Sequence, residues 1–269
     1  MNGRGLERCL AAENSFEVLA PPVRSLLADL GITEPTPPQA QAWPIIARGE
    51  DALIVAPTGS GKTEAALLPL LSRIVTRGHG EGISLLYITP MRALNRDMLK
   101  RLQVWCGRLG LSVDIRHGDT PQSQRARQSA HPPNVMVTTP ETLQAVLPGR
   151  RMRENLSHLK AVVVDELHNL VESKRGVQLS VGLQRLRKVA PGYQLVALSA
   201  TVGTPEVAAR FLFGEGKRTI VKVEAQKEFS YRIEYPVPDP SNQTAARETY
   251  SAPDLAARLS RINELIETH

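Results

Sequence analysis

Short apolar runs alternate with longer helical runs along this chain of 269 residues, and this alternation constrains the fold more than any other feature. The apolar runs are nearly continuous, as expected for strands that are covered on both faces of a sheet. Strands separated by helices in this way form βαβ crossovers. The expected fold class is therefore α/β, with a mostly parallel central sheet and helices on both faces. We predict strands at residues 51–56, 83–89, 111–117, 134–138, 160–165 and 194–199.

The segments between these strands have helical patterns, and the two ends of the chain differ from the middle. Residues 1–50 read as helical, with a Pro-rich turn at 34–39. Near the other end, KRTIVKVEA (217–225) and FSYRIEYPV (229–237) have the composition of two further strands. Between the first six strands we predict helices at 62–76, 91–108, 121–130, 140–147 and 177–190.

The C-terminal part of the chain changes composition twice. Residues 236–252 are polar and contain prolines, which is typical of a linker. After them, apolar residues recur at helical spacing and predict an amphipathic helix that needs an apolar partner. We therefore expect four parts: 1–50 as a helical segment of the first domain, 51–235 as its main body, 236–252 as a linker, and 253–269 as the start of a second domain.

The composition of the chain says more about its location in the cell than about its function. The apolar content is 42%, yet no run approaches the roughly 18 apolar residues of a membrane span, and no secretory signal opens the chain. We expect a cytoplasmic protein without a membrane partner. Cys9 and Cys106 form neither a metal-ligand spacing nor a disulfide framework. The net charge of +6 is compatible with a nucleic-acid partner, although the basic residues are scattered and solvated helix faces would give the same count.

The segment APTGSGKT (56–63) follows a predicted strand and opens a predicted helix, which is the context that a phosphate-binding P-loop requires. Glycines let backbone N–H groups approach phosphate oxygens, and the helix N-terminus adds a positive dipole end. Ala56 stands where the general pattern has Gly, and the alternative is a Gly-rich turn that binds no nucleotide. The segment predicts ATP and Mg²⁺ as cofactors, with Thr63 as a metal ligand and nucleotide contacts from Thr58, Gly59, Ser60, Gly61, Lys62 and Thr63.

A second candidate site is VVVDELH (162–168), in which an apolar run leads into two adjacent carboxylates. A strand end would deliver Asp165 to magnesium, and Glu166 could deprotonate the attacking water while Lys62 stabilises the phosphates. Adjacent acids are also common where strands simply end. The P-loop about a hundred residues upstream favours the catalytic interpretation.

These motifs resemble those of superfamily-two helicases, in which DELH is a DExH form of the second motif. Others of that family's first-lobe motifs follow in the same order: PTPPQ (35–39), TPMRAL (89–94), HGDT (117–120), TTPETL (138–143) and SAT (199–201). The resemblance implies a RecA-like P-loop NTPase domain. It also implies that Gln39 hydrogen-bonds adenine and that Phe16 lies against the base.

The same resemblance implies two further sets of residues. His168, Ser199 and Thr201 would couple hydrolysis to strand movement. Hydroxyl groups and N–H groups at helix starts bind phosphodiester oxygens without reading bases. Such residues are also ordinary helix caps and turns, and both roles can hold together. The implied nucleic-acid contacts are Thr89, Arg92, Gly118, Thr120 and Thr139.

Flanking segments favour a narrower resemblance. HGDTP, VTTPETL and the SKRG segment after DELH (173–176) are similar to the Lhr (large helicase-related) group. This resemblance implies ATP-driven 3′-to-5′ translocation on single-stranded or partly duplex nucleic acid, with unwinding of DNA or RNA:DNA hybrids in repair or recombination. The alternatives are a Ski2-like RNA helicase lobe, a stand-alone lobe that binds nucleic acid without catalysis, and another P-loop enzyme such as a small kinase.

A superfamily-two motor needs a second RecA-like lobe, which supplies an arginine finger. Residues 202–269 contain no HRxGR-like run. The last helix resembles the opening helix of that second lobe. We therefore expect a fragment that binds nucleotide but hydrolyses ATP slowly.

Overall fold

The computed structural model describes residues 15–78, 80–90, 96–200, 204–224, 232–248 and 252–268. The chain divides into two compact units, Met1–Ala225 and Gln226–His269. The boundary lies ten residues before residue 235, where we expected the main body to end.

The first unit is built on one seven-stranded sheet in which every pairing is parallel. The strand order is β3-β4-β2-β5-β6-β1-β7. The strands are β1 (Ala52–Val55), β2 (Leu85–Ile88), β3 (Val113–Arg116), β4 (Val135–Thr138), β5 (Ala161–Val164), β6 (Gln194–Ser199) and β7 (Thr219–Lys222).

Nine helices of the described part of this unit lead into the sheet or connect its strands. They are α1 (Pro21–Asp29), α2 (Pro37–Ala47), α3 (Lys62–Arg77), α4 (Arg96–Arg108), α5 (Gln122–Ala130), α6 (Pro140–Val146), α7 (Arg150–Leu156), α8 (Lys174–Val189) and α9 (Pro205–Phe213). A 3₁₀ turn covers Leu167–Asn169.

Two hydrophobic cores lie on opposite faces of the sheet. One contains Ile54, Tyr87 and Val163 with residues of α1 to α4. The other contains Leu53, Leu86 and residues of α6 to α9. Neighbouring residues of one strand enter different cores because side chains alternate across a strand. Burial on both faces explains why these strands are nearly continuous apolar runs.

The predicted fold class is confirmed. All six predicted strands between 51 and 199 are present, and the segment 217–225 contains β7. The predicted helix at 91–108 begins at Arg96, and its first five residues lie outside the described part of the chain. The helix predicted at 177–190 begins three residues earlier because Ser173 caps it, its side chain accepting the Gly176 N–H at 3.1 Å.

Two sequence predictions are wrong. The Pro-rich segment 34–39 is not only a turn, since α2 begins at Pro37, a position at which a helix tolerates proline. The strand predicted at 229–237 is not found in its described part, residues 232–237, which form no strand. Ile233, Tyr235 and Val237 have the alternation of a strand, but all three are exposed and have no strand alongside to pair with among the described residues.

The second unit contains two helices, α10 (Pro240–Glu248) and α11 (Pro253–Thr268). Helix α10 falls within residues 236–252, which we expected to be a linker. A reciprocal pair of hydrogen bonds between Asp239 and Asn242 supports its first turn: the Asp239 N–H donates to Asn242 Oδ1 at 3.1 Å, and the Asn242 N–H donates to Asp239 Oδ1 at 2.9 Å. Local capping therefore offsets the low apolar content of this segment.

Candidate nucleotide-binding site

Three neighbouring strand ends hold the predicted nucleotide motifs. β6 lies between β5 and β1, and all three strands are parallel. The P-loop therefore lies at the same edge of the sheet as Asp165 and the first residues after β6. Ligands of open parallel sheets bind at this carboxyl edge.

The P-loop has the backbone geometry that its glycines predict. Gly59 and Gly61 have φ values of 73° and 85°, in the left-handed region, and α3 begins at Lys62. Ala56 does not have a positive φ, and its N–H donates to Ser199 O at 3.2 Å. An alanine is acceptable at this position because Ala56 continues the extended strand rather than entering the glycine turn.

Gln39 is fixed against the P-loop. Its side-chain oxygen accepts the Thr36 N–H at 3.0 Å, and its Nε2 donates to Gly61 O at 3.4 Å. A Cβ added to Gly61 would lie 2.6 Å from Gln39 Nε2. The structure thus links the predicted adenine-binding residue to the phosphate loop, a contact that we did not expect from the sequence. Its contact with adenine stays a prediction.

Phe16 lies in the core next to α2. Its ring packs edge-on against Trp43, with centroids 5.4 Å apart. Phe16 is only partly buried in this cluster. A packing role is therefore visible for Phe16, and its predicted role against a base stays a prediction.

Lys62 folds back over its own loop. The ammonium group donates to Ala56 O and Pro57 O, both at 2.7 Å. Burial lowers the pKa of Lys62, while the carboxylates of Glu166 and Asp165 act in the opposite direction. This electrostatic link places the P-loop lysine and the acidic pair in one site.

Asp165 is held at the end of β5 by hydrogen bonds to both carboxylate oxygens. The Tyr87 hydroxyl group donates to Oδ2 at 2.5 Å, and the Glu166 N–H donates to Oδ1 at 2.8 Å. Burial raises the pKa of Asp165, and the two hydrogen bonds oppose that shift. The carboxylate is consequently fixed in one orientation beside the P-loop.

Glu166 has a strained backbone. Its φ of 52° is the one positive value at a non-glycine residue in the described part of the chain. Such strain costs about 1–3 kcal/mol and persists where the surrounding structure enforces it, often at functional sites. The carboxylate of Glu166 accepts from Asn169 Nδ2 at 3.4 Å and lies 3.0 Å from His168 Nε2.

His168 connects the acidic pair with the end of β6. Its Nδ1 accepts the Ala200 N–H at 3.1 Å, so in the neutral ring the proton resides on Nε2, which faces Glu166. His168 therefore contacts both segments directly, and its coupling role stays a prediction. Ser199 is fully buried and its hydroxyl group has no hydrogen-bond partner among the described residues; Thr201 lies outside them.

The residues present fit a magnesium nucleotide. The αL glycines and the start of α3 provide N–H groups for phosphates, and Lys62 provides a cation. Thr63 and Asp165 would provide oxygen ligands of the kind that Mg²⁺ prefers. Among the described residues no group of three or more His, Cys, Asp or Glu forms a protein-only metal site.

The predicted nucleic-acid residues lie at the ends of the other strands, β2, β4 and β3. The side chains of Thr89, Thr120 and Thr139 are buried, each residue being at most 5% exposed. Thr120 Oγ1 accepts the His117 N–H at 2.9 Å, and Thr139 Oγ1 accepts the Thr142 N–H at 3.3 Å as the cap of α6. These two hydroxyl groups accept hydrogen bonds in a turn and a cap, and each still carries an O–H group that can donate. Their contacts with nucleic acid stay a prediction.

Gly118 is exposed, and its carbonyl group accepts from the guanidinium of Arg125. Arg125 also donates to His117 O at 3.4 Å, so α5 holds the HGDT turn in place. Arg92 lies outside the described residues.

Two contacts that involve motif residues were not predicted. Arg175 of the SKRG segment pairs with Glu141, with Nε 2.5 Å from Oε1, and so joins α8 to the TTPETL helix α6. Tyr87 contacts Asp165. Tyr87 stands inside an apolar run where a tyrosine is an ordinary strand residue, and only the pairing of β2 with β5 brings it to the site.

A cavity of about 550 Å³ lies elsewhere, between the end of α3 and the starts of β5 and β6. Its lining includes Arg73, Arg77 and Lys160 but none of the motif residues. The nucleotide motifs converge away from this cavity.

The helices in the described part of the chain include none with the length and apolar character of a membrane span.

Comparison with known proteins supports the assignment. The model of the DEAD/DEAH box helicase family matches residues 36–209 of this chain. The Lhr helicase/probable uracil glycosylase of Mycolicibacterium smegmatis is 39% identical over 87% of this chain and 16% of its own length. The Lhr-Core protein 2 of Thermococcus barophilus is 35% identical over 99% of this chain and 33% of its own length.

A solved structure gives the same result. The Mycobacterium smegmatis helicase Lhr bound to single-stranded DNA and AMP-PNP matches with a TM-score of 0.75 and 34% identity, over 95% of this chain and 33% of that one. The chain thus spans between a sixth and a third of the length of these relatives. It belongs to the DEAD/DEAH box helicase family and, within that family, is similar to the first RecA-like lobe of the Lhr proteins.

Proposed function

We propose that this chain is the ATP-binding motor lobe of an ATP-dependent nucleic-acid helicase. The observation that carries the proposal is the convergence of three strand ends: the P-loop after β1, Asp165 and Glu166 after β5, and Ala200 after β6. The charges of Glu166 and Asp165 both raise the pKa of Lys62, which supports a single site.

In this proposal the P-loop holds the nucleotide phosphates. Lys62 leaves the carbonyl groups of Ala56 and Pro57 and binds the β- and γ-phosphates instead. Thr63 and Asp165 hold Mg²⁺, directly or through water. When bound, the metal neutralises charge on the transferred phosphoryl group.

Glu166 is the proposed general base. A carboxylate at this position can orient a water molecule and accept its proton. The contact with His168 holds the Glu166 side chain from one side, and the strained backbone fixes the direction in which that side chain leaves β5. Preorganisation of this kind lowers the cost of reaching the reactive geometry.

Coupling is proposed to run from Glu166 through His168 to the segment after β6. A change at the nucleotide alters the Glu166 contact, and the same imidazole is hydrogen-bonded to Ala200. Ser199 is the last residue of β6 and Thr201 follows it in the sequence; both are proposed to take part.

The proposed partner is single-stranded or partly duplex nucleic acid, bound along the ends of β2, β3 and β4. The neighbour with single-stranded DNA and AMP-PNP supports this choice. We further propose 3′-to-5′ translocation, unwinding of DNA or RNA:DNA hybrids, a role in repair or recombination, and a cytoplasmic location. Comparing affinity for single-stranded DNA and RNA of one sequence across a salt series tests the substrate choice, because counterion release sets the slope and 2′-hydroxyl contacts set the difference.

A second RecA-like lobe is the other proposed partner. Helix α11 is amphipathic, and Leu255, Leu259, Ile262 and Ile266 on it are each about half or more exposed. We propose that 253–269 begins that lobe. The lobe would bring the arginine finger, so this chain alone should bind nucleotide and hydrolyse it slowly. ATP turnover can be measured on this chain with nucleic acid present. A rate equal to that of a two-lobe helicase would overturn the proposal that hydrolysis needs the second lobe.

A further inference from the structure

Tyr87 lies beneath the P-loop helix, in the strand next to the one that carries Asp165. β2 pairs with β5 in the register Tyr87 to Val163, so Tyr87 and Asp165 project from the same face of the sheet. Helix α3, which begins at Lys62 and Thr63, covers this face. The side chain of Tyr87 is fully buried.

The phenol group contacts a residue that we assign to the metal. Its hydroxyl group donates to Asp165 Oδ2 at 2.5 Å. One buried hydroxyl group therefore holds a carboxylate that would bind Mg²⁺.

The hydrogen bond to Asp165 satisfies the phenol's buried donor. A buried hydroxyl group without a partner would be costly, so the contact with Asp165 is retained once the core has packed. A phenylalanine would fill the same core volume but could not donate.

The second described tyrosine with a buried hydroxyl group gives the contrast. Tyr193 donates to the carbonyl oxygen of Leu183 at 3.2 Å, within the core on the other face of the sheet. That bond satisfies a buried group and touches no candidate site residue. A core tyrosine in this fold does not need a metal-binding carboxylate as its partner.

We propose that Tyr87 is a positioning residue that orients the Asp165 carboxylate for Mg²⁺ in the nucleotide complex. The inference rests on the proposed nucleotide site. Oδ2 is fixed by Tyr87 and Oδ1 by the Glu166 N–H, so the carboxylate is in place before the metal arrives. Partners that orient metal ligands from outside the coordination sphere commonly change metal affinity by about 10–100-fold when they are removed.

The test is Tyr87→Phe in this chain, with binding of a fluorescent ADP analogue measured during a Mg²⁺ titration and again in excess EDTA. We expect the Mg²⁺ concentration at half-effect to rise at least tenfold, with nucleotide binding in EDTA unchanged within twofold. Tyr193→Phe is the matched control for loss of a buried phenolic hydroxyl group and should leave both measurements unchanged.

A double substitution tests whether Tyr87 acts on Mg²⁺ binding through Asp165. With Asp165→Asn already in place, adding Tyr87→Phe should not change the Mg²⁺ dependence further, because its effect passes through Asp165. An unchanged Mg²⁺ titration in Tyr87→Phe, an equal loss of binding in EDTA, or a full additional effect in the double variant would each overturn the inference while leaving the nucleotide site standing. A wild-type chain whose ADP binding shows no response to Mg²⁺ would instead overturn the proposed metal site itself.

Discussion

Glu166 Oε2 lies 3.0 Å from His168 Nε2, so the proposed general base and the proposed coupling residue are in direct contact. The other ring nitrogen of His168 accepts the Ala200 N–H at 3.1 Å, which fixes the ring between two strand ends. A single imidazole therefore contacts both the acidic pair and the segment after β6.

We expect His168→Ala to slow single-turnover ATP hydrolysis about tenfold, because Glu166 loses the group that orients it, while nucleotide affinity changes less than twofold. Both are measured on one preparation, by quench assay and by binding. His131→Ala, at an exposed histidine outside the site, is the control. A loss of affinity equal to the loss of rate would show that His168 supports binding instead.

The backbone of Glu166 predicts a conflict between stability and activity. Glu166→Gly should relieve the positive φ and raise the free energy of unfolding by up to about 1 kcal/mol, while abolishing hydrolysis. Urea denaturation measures the first effect. Glu172→Gly, at an exposed residue without a positive φ, should not stabilise. A variant at 166 that is less stable than wild type would mean that the side-chain contacts outweigh the strain.

Substitutions at Gly59 and Gly61 separate the cost of backbone strain from the cost of a clash with Gln39. Both have positive φ, but only at Gly61 would a Cβ meet another group, at 2.6 Å from Gln39 Nε2. Gly59→Ala should cost about 1 kcal/mol of stability for backbone strain alone. Gly61→Ala should cost more and also weaken nucleotide binding, because it displaces Gln39 from the loop. Equal costs in urea denaturation would refute the close packing of Gln39.

The buried thiol of Cys106 predicts an alkaline loss of stability. Burial raises its pKa from the ordinary 9.0 to about 12. The pKa of the thiol is higher in the folded state than in the unfolded state, so its contribution to the free energy of unfolding is fully present below pH 9. Between pH 9 and 12 the thiol ionises in the unfolded state first. The free energy of unfolding then falls by up to about 1.4 kcal/mol per pH unit. Urea denaturation at pH 8 and 10 should show a smaller decline in Cys106→Ala. The same decline in both proteins would contradict this account.

The sequence predicts the sheet and the P-loop well, since both depend on local pattern: buried apolar runs, and glycines at a strand-to-helix turn. It cannot predict contacts that arise from strand order. Tyr87 reaches Asp165 only because β2 pairs with β5, and Arg175 reaches Glu141 only because α8 packs on α6. Errors fall where local signals conflict, as at residues 232–237, whose alternation suggests a strand that no neighbouring strand completes.

The central claim is that Lys62 belongs to a nucleotide site. Isothermal titration of this chain with AMP-PNP and Mg²⁺ tests it most directly, comparing wild type, Lys62→Ala and the exposed-lysine control Lys188→Ala. We predict binding with one site per chain in wild type and Lys188→Ala, and a loss of affinity of at least a hundredfold in Lys62→Ala, which removes a half-buried cation from the phosphates. Equal binding by all three proteins would contradict the account.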